Sequence, residues 1–318
     1  MPEFFLSTLN TWITLAATLI ERNYGYPDRL YKLVQHPVVW MGALIDVLDD
    51  RLNNLTRSRG VFALAVVIAA TAVITIPLTL IFRSFEYGWL LEALVACTIL
   101  AQKSLGEQVL AVADGLEKSL EDGRKAVSNI VGRDPANLDE TGVAKGAVES
   151  LAENTSDGIV APVFWLLIGG LPGIAIYKAV NTCDSMIGHK SERHLHFGWA
   201  SARLDDVLNF IPARLTGLLF CAVSGPAAGE AFTAMRRDAG NHVSPNAGWP
   251  EAAMAGGLGI RLGGPRSYQG RTVRLAWMGD GRQELGAEDI YGGLQLYERA
   301  LNAMTAVLGV AAFISLFL

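Results

Sequence analysis

Cysteine is scarce in this 318-residue chain, and none of its three copies (Cys97, Cys183 and Cys221) stands in a CxxC pair. Two of them lie in apolar stretches, so neither a disulfide nor a thiolate metal site is expected. Strand-like alternation is also scarce, which argues against a sheet-built fold. No basic block with interleaved aromatics occurs and the formal net charge is −5, so nucleic acid is not an expected partner. The chain carries neither a P-loop nor a dinucleotide fingerprint. Its start holds Pro2 and Glu3 instead of basic residues and shows no convincing cleavage site, so the first apolar stretch reads as an amphipathic or anchoring helix and not as a signal peptide. Among the five histidines only His194 and His196 are close neighbours. A spacing of two does not share a helical face, which argues against zinc. His36, just before Pro37, is the histidine to test.

What the chain has is apolar length. Residues 61–82 carry no charge over a stretch sufficient to cross a bilayer as a helix. Residues 88–101, which include Glu92, read as the return limb of a hairpin, and residues 300–318 as a further candidate segment. Segments 158–180 and 210–228 are apolar too, but contain Gly and Pro and abut charged stretches. Each is a crossing or a broken, re-entrant element. A helix is expected from about Val38, a polar helical region from Lys103 to about Ser156 with an interruption near Gly132–Pro135, and a long structured loop over 240–286. The expected fold class is all-α: a polytopic helical membrane protein, a single integral-membrane domain, with broken or re-entrant helices and a long Gly/Arg-rich loop. Basic residues at 51–59 and within 102–145 place both flanks of the first hairpin in the cytoplasm by the positive-inside rule.

Three polar stretches (147–157, 178–209 and 240–286) carry the candidate chemistry. In ESLAENTSDG, Glu149, Glu153 and Asp157 recur every four residues and share a helical face. A row of like charges calls for a cation, although a solvated helix face is the commoner meaning of such spacing. In the second stretch Lys178, Asn181 and Ser185 share a face, with Asp184 beside them, all next to an apolar block. Asp205, Asp206 and Asn209 follow, flanked by Arg203 and Arg214. Carboxylates with a few amide oxygens suit Mg²⁺ bound together with substrate phosphate, and Lys and Arg suit the phosphates. The alternative for Arg203 and Asp206 is a plain helical ion pair. In GWPEAAMAGGLGIRLGGPRSYQG, Arg261 and Arg266 are placed to clamp an anion, while Glu251 also fits an ordinary helix-start carboxylate.

At these residues the chain resembles the cobinamide-phosphate synthase family (CobD/CbiB). The resemblance runs from about Glu21 to the C-terminus. It rests on HPVVWMG (36–42), RKAVSNIVGRD (124–134), VESLAENTSDGIVAPVFW (148–165), YKAVNTCDSMIGH (177–189), FGWASARLDDVLNFIPARLT (197–216) and GWPEAAMAGGLGIRLGGPRSY (248–268). The chain departs from the family pattern near its start. Glu21 keeps a carboxylate there, but Gly25-Tyr26-Pro27 loses the Asp of a Gly-Asp-Pro, so no catalytic role is given to that segment.

The resemblance implies a multi-pass protein of the cell inner membrane that joins adenosylcobyric acid to (R)-1-amino-2-propanol phosphate, with ATP as cosubstrate and Mg²⁺ as cofactor, at a site facing the cytoplasm. Glu149, Glu153, Lys178, Asp184 and Asp205 are then the catalytic candidates, and Glu153, Asp157, Asp205 and Asp206 the metal candidates. Asn154, Asn181, Ser185, Arg203, Asn209, Arg214, Glu251, Arg261 and Arg266 are the candidates for holding substrate and phosphate. The lipid bilayer, a second copy of the chain and other corrinoid-pathway enzymes are the expected partners. Two rivals stand beside this reading. A membrane prenyltransferase also holds Mg-diphosphate with helical Asp and Asn clusters, but shows two Asp-rich motifs of similar design. A non-catalytic membrane sensor would not need acidic and basic clusters together.

Overall fold

The computed structural model describes residues 7–26, 35–132, 134–268, 271–273 and 275–317, with side chains for all of these except 266–268 and 271–273. The chain divides into two compact units. The first is built from described residues of 1–101, 161–209 and 307–318, the second from 102–160 and 210–306.

In the first unit α1 (Thr8–Tyr24) starts where the Ser7 hydroxyl accepts the Asn10 N–H at 3.2 Å. Helix α2 (Pro37–Leu52) starts as expected at Pro37, which lacks the N–H a helix start leaves unpaired; His36 Nδ1 accepts the Val38 N–H. The uncharged run forms α3 (Arg57–Arg83), 27 residues long and so about 40 Å at the α-helical rise. Val73 and Ile74 stand exposed on it, an apolar surface suited to lipid. Helix α4 (Gly88–Cys97) returns beside it.

Helix α8 (Ala161–Ile187) and α9 (Trp199–Leu208) complete this unit's core with α2 and α3. Ile45, Leu64, Val67, Val180, Cys183, Ile187 and Phe197 pack there into one apolar cluster. Gly60 is needed in α3 because a Cβ would run into the Phe197 carbonyl. The three cysteines are free and buried.

In the second unit α5 (Gln102–Lys118), α6 (Leu120–Val127) and α7 (Glu140–Thr155) form the expected polar helical region, interrupted between Val127 and Glu140. A π-helical turn, Ser156–Val160, follows. Helices α10 (Phe210–Val223), α11 (Ala228–Asp238) and α12 (Gly248–Leu258) pack on one another, and the last helix, α13 (Ala287–Ile314), belongs to this unit as far as Ala306.

The stretch 240–286, expected as loop, contains α12 and two small antiparallel pairs. Strand β1 (Leu262–Gly263) pairs with β4 (Trp277–Met278), and β2 (Arg266–Tyr268) with β3 (Arg271–Val273). Its glycines do not act only as chain breakers. Gly256 lets α12 approach α11 so closely that a Cβ would lie 2.7 Å from the Glu230 carbonyl, and Gly259, at φ 63°, stops α12 in the left-handed conformation.

Among the described residues, three helical stretches are by length and composition able to cross a membrane: Arg57–Arg83, Gly88–Lys118 and Glu140–Ile187. The pair Trp199–Leu208 and Phe210–Val223 qualifies when counted as one broken span. Helix α13, which holds most of the 300–318 segment, is not among them.

The break expected within 158–180 falls at Gly170, whose φ of 60° and ψ of −155° interrupt α8 just before Pro172. A turn of helix that breaks leaves carbonyls and N–H groups unpaired. Here three side chains from earlier helices meet them. Arg83 binds Glu92 through two contacts of 2.9 Å and donates to Asn10 Oδ1 at 2.6 Å. Glu92 Oε1 accepts the Leu171 N–H at 3.2 Å, and Asn10 Nδ2 donates to the Leu167 carbonyl at 3.4 Å. Only glycine fits at 170, since a Cβ would sit 2.9 Å from the Arg83 guanidinium.

Candidate functional site

In the first unit the candidates on α8 and α9 come together as a chain of hydrogen bonds. Lys178 donates from Nζ to Asn181 Oδ1 at 3.2 Å, and Asn181 donates from Nδ2 to Asp205 Oδ1 at 3.2 Å. Asn209 donates to the other carboxylate oxygen of Asp205 at 3.0 Å and accepts the Tyr177 hydroxyl at 2.8 Å. Helical spacing explains the convergence. Residues 177, 178 and 181 lie within a turn and a bit of α8, and 205 and 209 one turn apart at the end of α9.

Asp205, Asn209 and Tyr177 are buried, the last two at 1% exposure. A buried carboxylate is costly unless both its oxygens are engaged, which is what the two asparagines achieve. Asp184 and Asp206 face Asp205 closely enough for their charges to act on it, and Asp206 also feels Arg203 and Lys190.

The remaining members are placed less tightly. Arg203 Nη1 lies 3.5 Å from Asp206 Oδ2 one helical turn away, with its side chain 68% exposed; the ion-pair alternative accounts for that geometry. Ser185 is exposed and gives its hydroxyl to the Asn181 carbonyl at 2.9 Å. His36 carries a ring whose pKa is lowered by burial, opposed by a hydrogen bond to the Thr98 backbone and reinforced by the charge of Lys178.

The loop between α8 and α9 is tied to the end of α2. Arg193 donates twice to Asp49 Oδ2, at 3.0 and 2.8 Å, and once to Asp50 at 3.0 Å. His194 Nε2 lies 3.1 Å from the same Asp49 oxygen, and Asn53 donates to Asp49 Oδ1 at 2.7 Å. Burial alone raises the Asp49 pKa, but the hydrogen bonds from His194, Asn53 and Arg193 outweigh it and hold the carboxyl below its ordinary value.

In the second unit Glu149, Glu153 and Asp157 follow one another along α7 and its π turn into quite different surroundings. Glu149 is 6% exposed and accepts the Gly263 N–H at 2.8 Å. Glu153 is exposed, and Asp157 lies half-buried on the π turn. Asn154 is folded back on its own helix, donating to the Ser150 carbonyl at 2.9 Å.

Arg214 stacks on Phe210, with its guanidinium carbon 3.5 Å from the ring centroid, and on Trp249 at 4.4 Å, while Nη1 bonds the Phe210 carbonyl. Glu251 is buried in the first turn of α12, 3.7 Å from His242 Nε2. Arg261 follows the end of α12 and approaches Trp277. Arg266 lies in β2, with its side chain outside the described set.

Tyr177 was not among the expected site residues. The signal for it was present: a tyrosine adjoining Lys178 in an otherwise apolar helix must place its hydroxyl on a buried acceptor.

Among the described residues no group of three His, Cys, Asp or Glu side chains forms a metal cage. The donor set present, Asp205 with Asp184 and Asp206 near it, fits an ion held by one or two carboxylates together with phosphate and water, which is how Mg²⁺ commonly binds.

The family described as CobD/Cbib protein matches residues 14–297. A cobalamin biosynthesis protein CobD of Rhodobacter capsulatus is 50% identical over 297 residues, covering 92% of this chain and 94% of that protein. Proteins of the same name from Sinorhizobium fredii and Rhizobium meliloti are 47% and 46% identical, each alignment covering 94% of this chain and 95% and 96% of the relative. No solved structure matches. A match extending through nearly the whole chain, at such identity, shows that the protein belongs to the CobD/CbiB family.

Proposed function

We propose that this protein acts in cobalamin biosynthesis as an adenosylcobinamide-phosphate synthase, amidating adenosylcobyric acid with (R)-1-amino-2-propanol phosphate at the expense of ATP. Its pathway is supported by the relatives, which are named for cobalamin biosynthesis and aligned along more than nine-tenths of the chain. What carries the reading of the site is the buried Asp205, gripped by Asn181 and Asn209 and linked to Lys178.

A free carboxylate is a poor acyl donor, so a substrate carboxylate oxygen would first attack the γ-phosphorus of ATP, releasing ADP. The amine would then attack the acyl phosphate, with phosphate leaving and a proton lost from nitrogen. Such a site must gather several anions. In the first unit Lys178 and Arg203 are the cations proposed for that task, and in the second unit, taken by itself, Arg214, Arg261 and Arg266 are proposed to hold phosphate. Asn154, Asn181 and Asn209 are the proposed amide partners, and Ser185 and Glu251 the proposed polar contacts. Mg²⁺, when bound by carboxylates drawn from Asp184, Asp205 and Asp206 in the first unit or from Glu149, Glu153 and Asp157 in the second, would neutralise charge on the transferring phosphate. The site is proposed to face the cytoplasm across the inner membrane, where the nucleotide pool lies.

Detergent-purified protein incubated with ATP, aminopropanol phosphate and adenosylcobyric acid should give adenosylcobinamide phosphate by mass, and no product from a prenyl diphosphate and acceptor. Asp205→Asn and Glu153→Gln should each abolish the product. Prenyl transfer instead of amide formation would sink the ligase reading, and full turnover in both variants would sink the metal assignment.

A further inference from the structure

The stretch RKAVSNIVGRD (124–134) has no part in the reading above, yet its first half lines an open cleft of the second unit, about 340 Å³ in volume, between α5 and α6. The two helices are separated only by Ser119 and pack on each other. Where they touch, a Cβ on Gly115 would lie 3.0 Å from the Asp122 carbonyl, so glycine leaves the floor of the cleft open. Asp114 and Lys118 line it from α5, one helical turn apart. Asp122 and Lys125 line it from α6, and Asn129 from the turn just beyond.

Lysines on a helix surface are commonly only solvated. What surrounds these two sets them apart. Each carboxylate of the cleft already engages a hydroxyl: Tyr291 donates to Asp114 Oδ1 at 2.9 Å, and Ser119 to Asp122 Oδ2 at 2.8 Å. Among the described residues, Lys118 and Lys125 form no ion pair and the Asn129 side chain no hydrogen bond. Two ammonium groups and an amide therefore line one concavity as donors, a set that grips several oxygens of a single phosphate. The remaining oxygen of each carboxylate is an acceptor in the same cleft and suits an amine. A ligand carrying both a phosphate and an ammonium group uses all five side chains.

We infer that this cleft binds a small zwitterionic aminoalkyl phosphate, with its phosphate on Lys118, Lys125 and Asn129 and its ammonium between Asp114 and Asp122. Arg214, Arg261 and Arg266 do not line it, so it is a binding site separate from the arginines proposed above to hold phosphate. The identity of the zwitterion rests on the ligase reading, under which it is 1-amino-2-propanol phosphate.

Calorimetric titration of the full chain in detergent, without ATP, compares 1-amino-2-propanol phosphate with propyl phosphate, which lacks the amine, and with inorganic phosphate. Wild type should bind the aminoalkyl phosphate most tightly. Lys118→Met and Lys125→Met should each weaken it about tenfold, as loss of one charge-assisted hydrogen bond does. Lys118→Arg and Lys125→Arg, which keep the charge, should stay within about threefold of wild type. Asp114→Asn, which still accepts from Tyr291, should weaken the aminoalkyl phosphate about tenfold and should not weaken propyl phosphate. Melting curves establish that the variants fold. Lys118→Gln and Lys125→Gln stand in for any methionine variant that does not, with the same expectation.

No binding by wild type at millimolar ligand, or folded Lys118→Met and Lys125→Met proteins that bind like wild type, overturns the inference. So does propyl phosphate or inorganic phosphate bound as tightly as the aminoalkyl phosphate. Failure here and failure of the ligase reading are separable. Lysine-dependent binding with no amide product removes only the ligase reading. Amide product formed by Lys118→Met and Lys125→Met with the wild-type KM for the amine removes only the cleft.

Discussion

Arg83 and Glu92 meet side by side in the interior of the first unit, with guanidinium and carboxylate exposures of 8% and 0% and two contacts of 2.9 Å. A pair so far removed from water gains little over an apolar substitute, because both charges lose their hydration. Its distinguishing property is that Glu92 also accepts the Leu171 N–H, at the break in α8. The pair is therefore a helix cap as well as an ion pair.

Removing one half should cost more than removing both. Glu92→Ala leaves a buried guanidinium and an unpaired N–H, and should destabilise the protein by about 3–5 kcal/mol. Arg83→Met combined with Glu92→Gln, which keeps an acceptor for Leu171, should recover most of that loss. Denaturant or thermal unfolding in detergent measures both.

Asp205→Asn should leave the protein folded with a local mismatch. The new amide presents N–H groups to Asn181 or Asn209, whose Nδ2 atoms already donate, and Asn209 cannot simply turn over because its Oδ1 accepts Tyr177. One donor left facing another costs about 1–3 kcal/mol. Amide formation should fall below detection while the melting temperature drops only modestly.

The Asp49 clasp gives a pH dependence of known sign. A carboxyl held below its ordinary value in the folded protein binds protons less readily there than in the unfolded chain, so its stabilisation is complete above about pH 4 and is lost as the pH falls through the lowered value. Wild type should be more stable than Asp49→Asn at pH 7, with the gap closing toward pH 3. A gap that is unchanged across that range would contradict the assignment.

Glu149 should tolerate an uncharged replacement better than a truncation. Glu149→Gln retains an oxygen for the Gly263 N–H, whereas Glu149→Ala leaves that donor unpaired beside a glycine at φ 71°, a loss of about 1–3 kcal/mol. Unfolding midpoints of the two variants, compared with wild type, test this directly.

The long apolar helix of 61–82 and the start of α2 were legible because apolar length and Pro37 are local signals. Helical periodicity also made 178 with 181, and 205 with 209, legible as neighbours on a face, but the Asn181–Asp205 bond that joins the two sets comes from the packing of α9 on α8, which periodicity does not encode. The polar cap at Gly170 was not legible, because Asn10, Arg83 and Glu92 are brought to it from three distant helices. Helix α12 (Gly248–Leu258) was legible only as the alternative in which Glu251 starts a helix, because its glycines count against helix by propensity yet serve close packing in the fold. The four-residue rhythm of Glu149, Glu153 and Asp157 was correctly visible as a row, but a row carries no information about depth. Burial separates the first from the second.

The cap on α8 also orders the molecule in time. Asn10, Arg83 and Glu92 all precede Gly170 in the chain. A ribosome therefore delivers the broken segment only after every side chain that closes it has been synthesised, so the backbone groups exposed at Leu167 and Leu171 emerge into a nascent protein already carrying their partners.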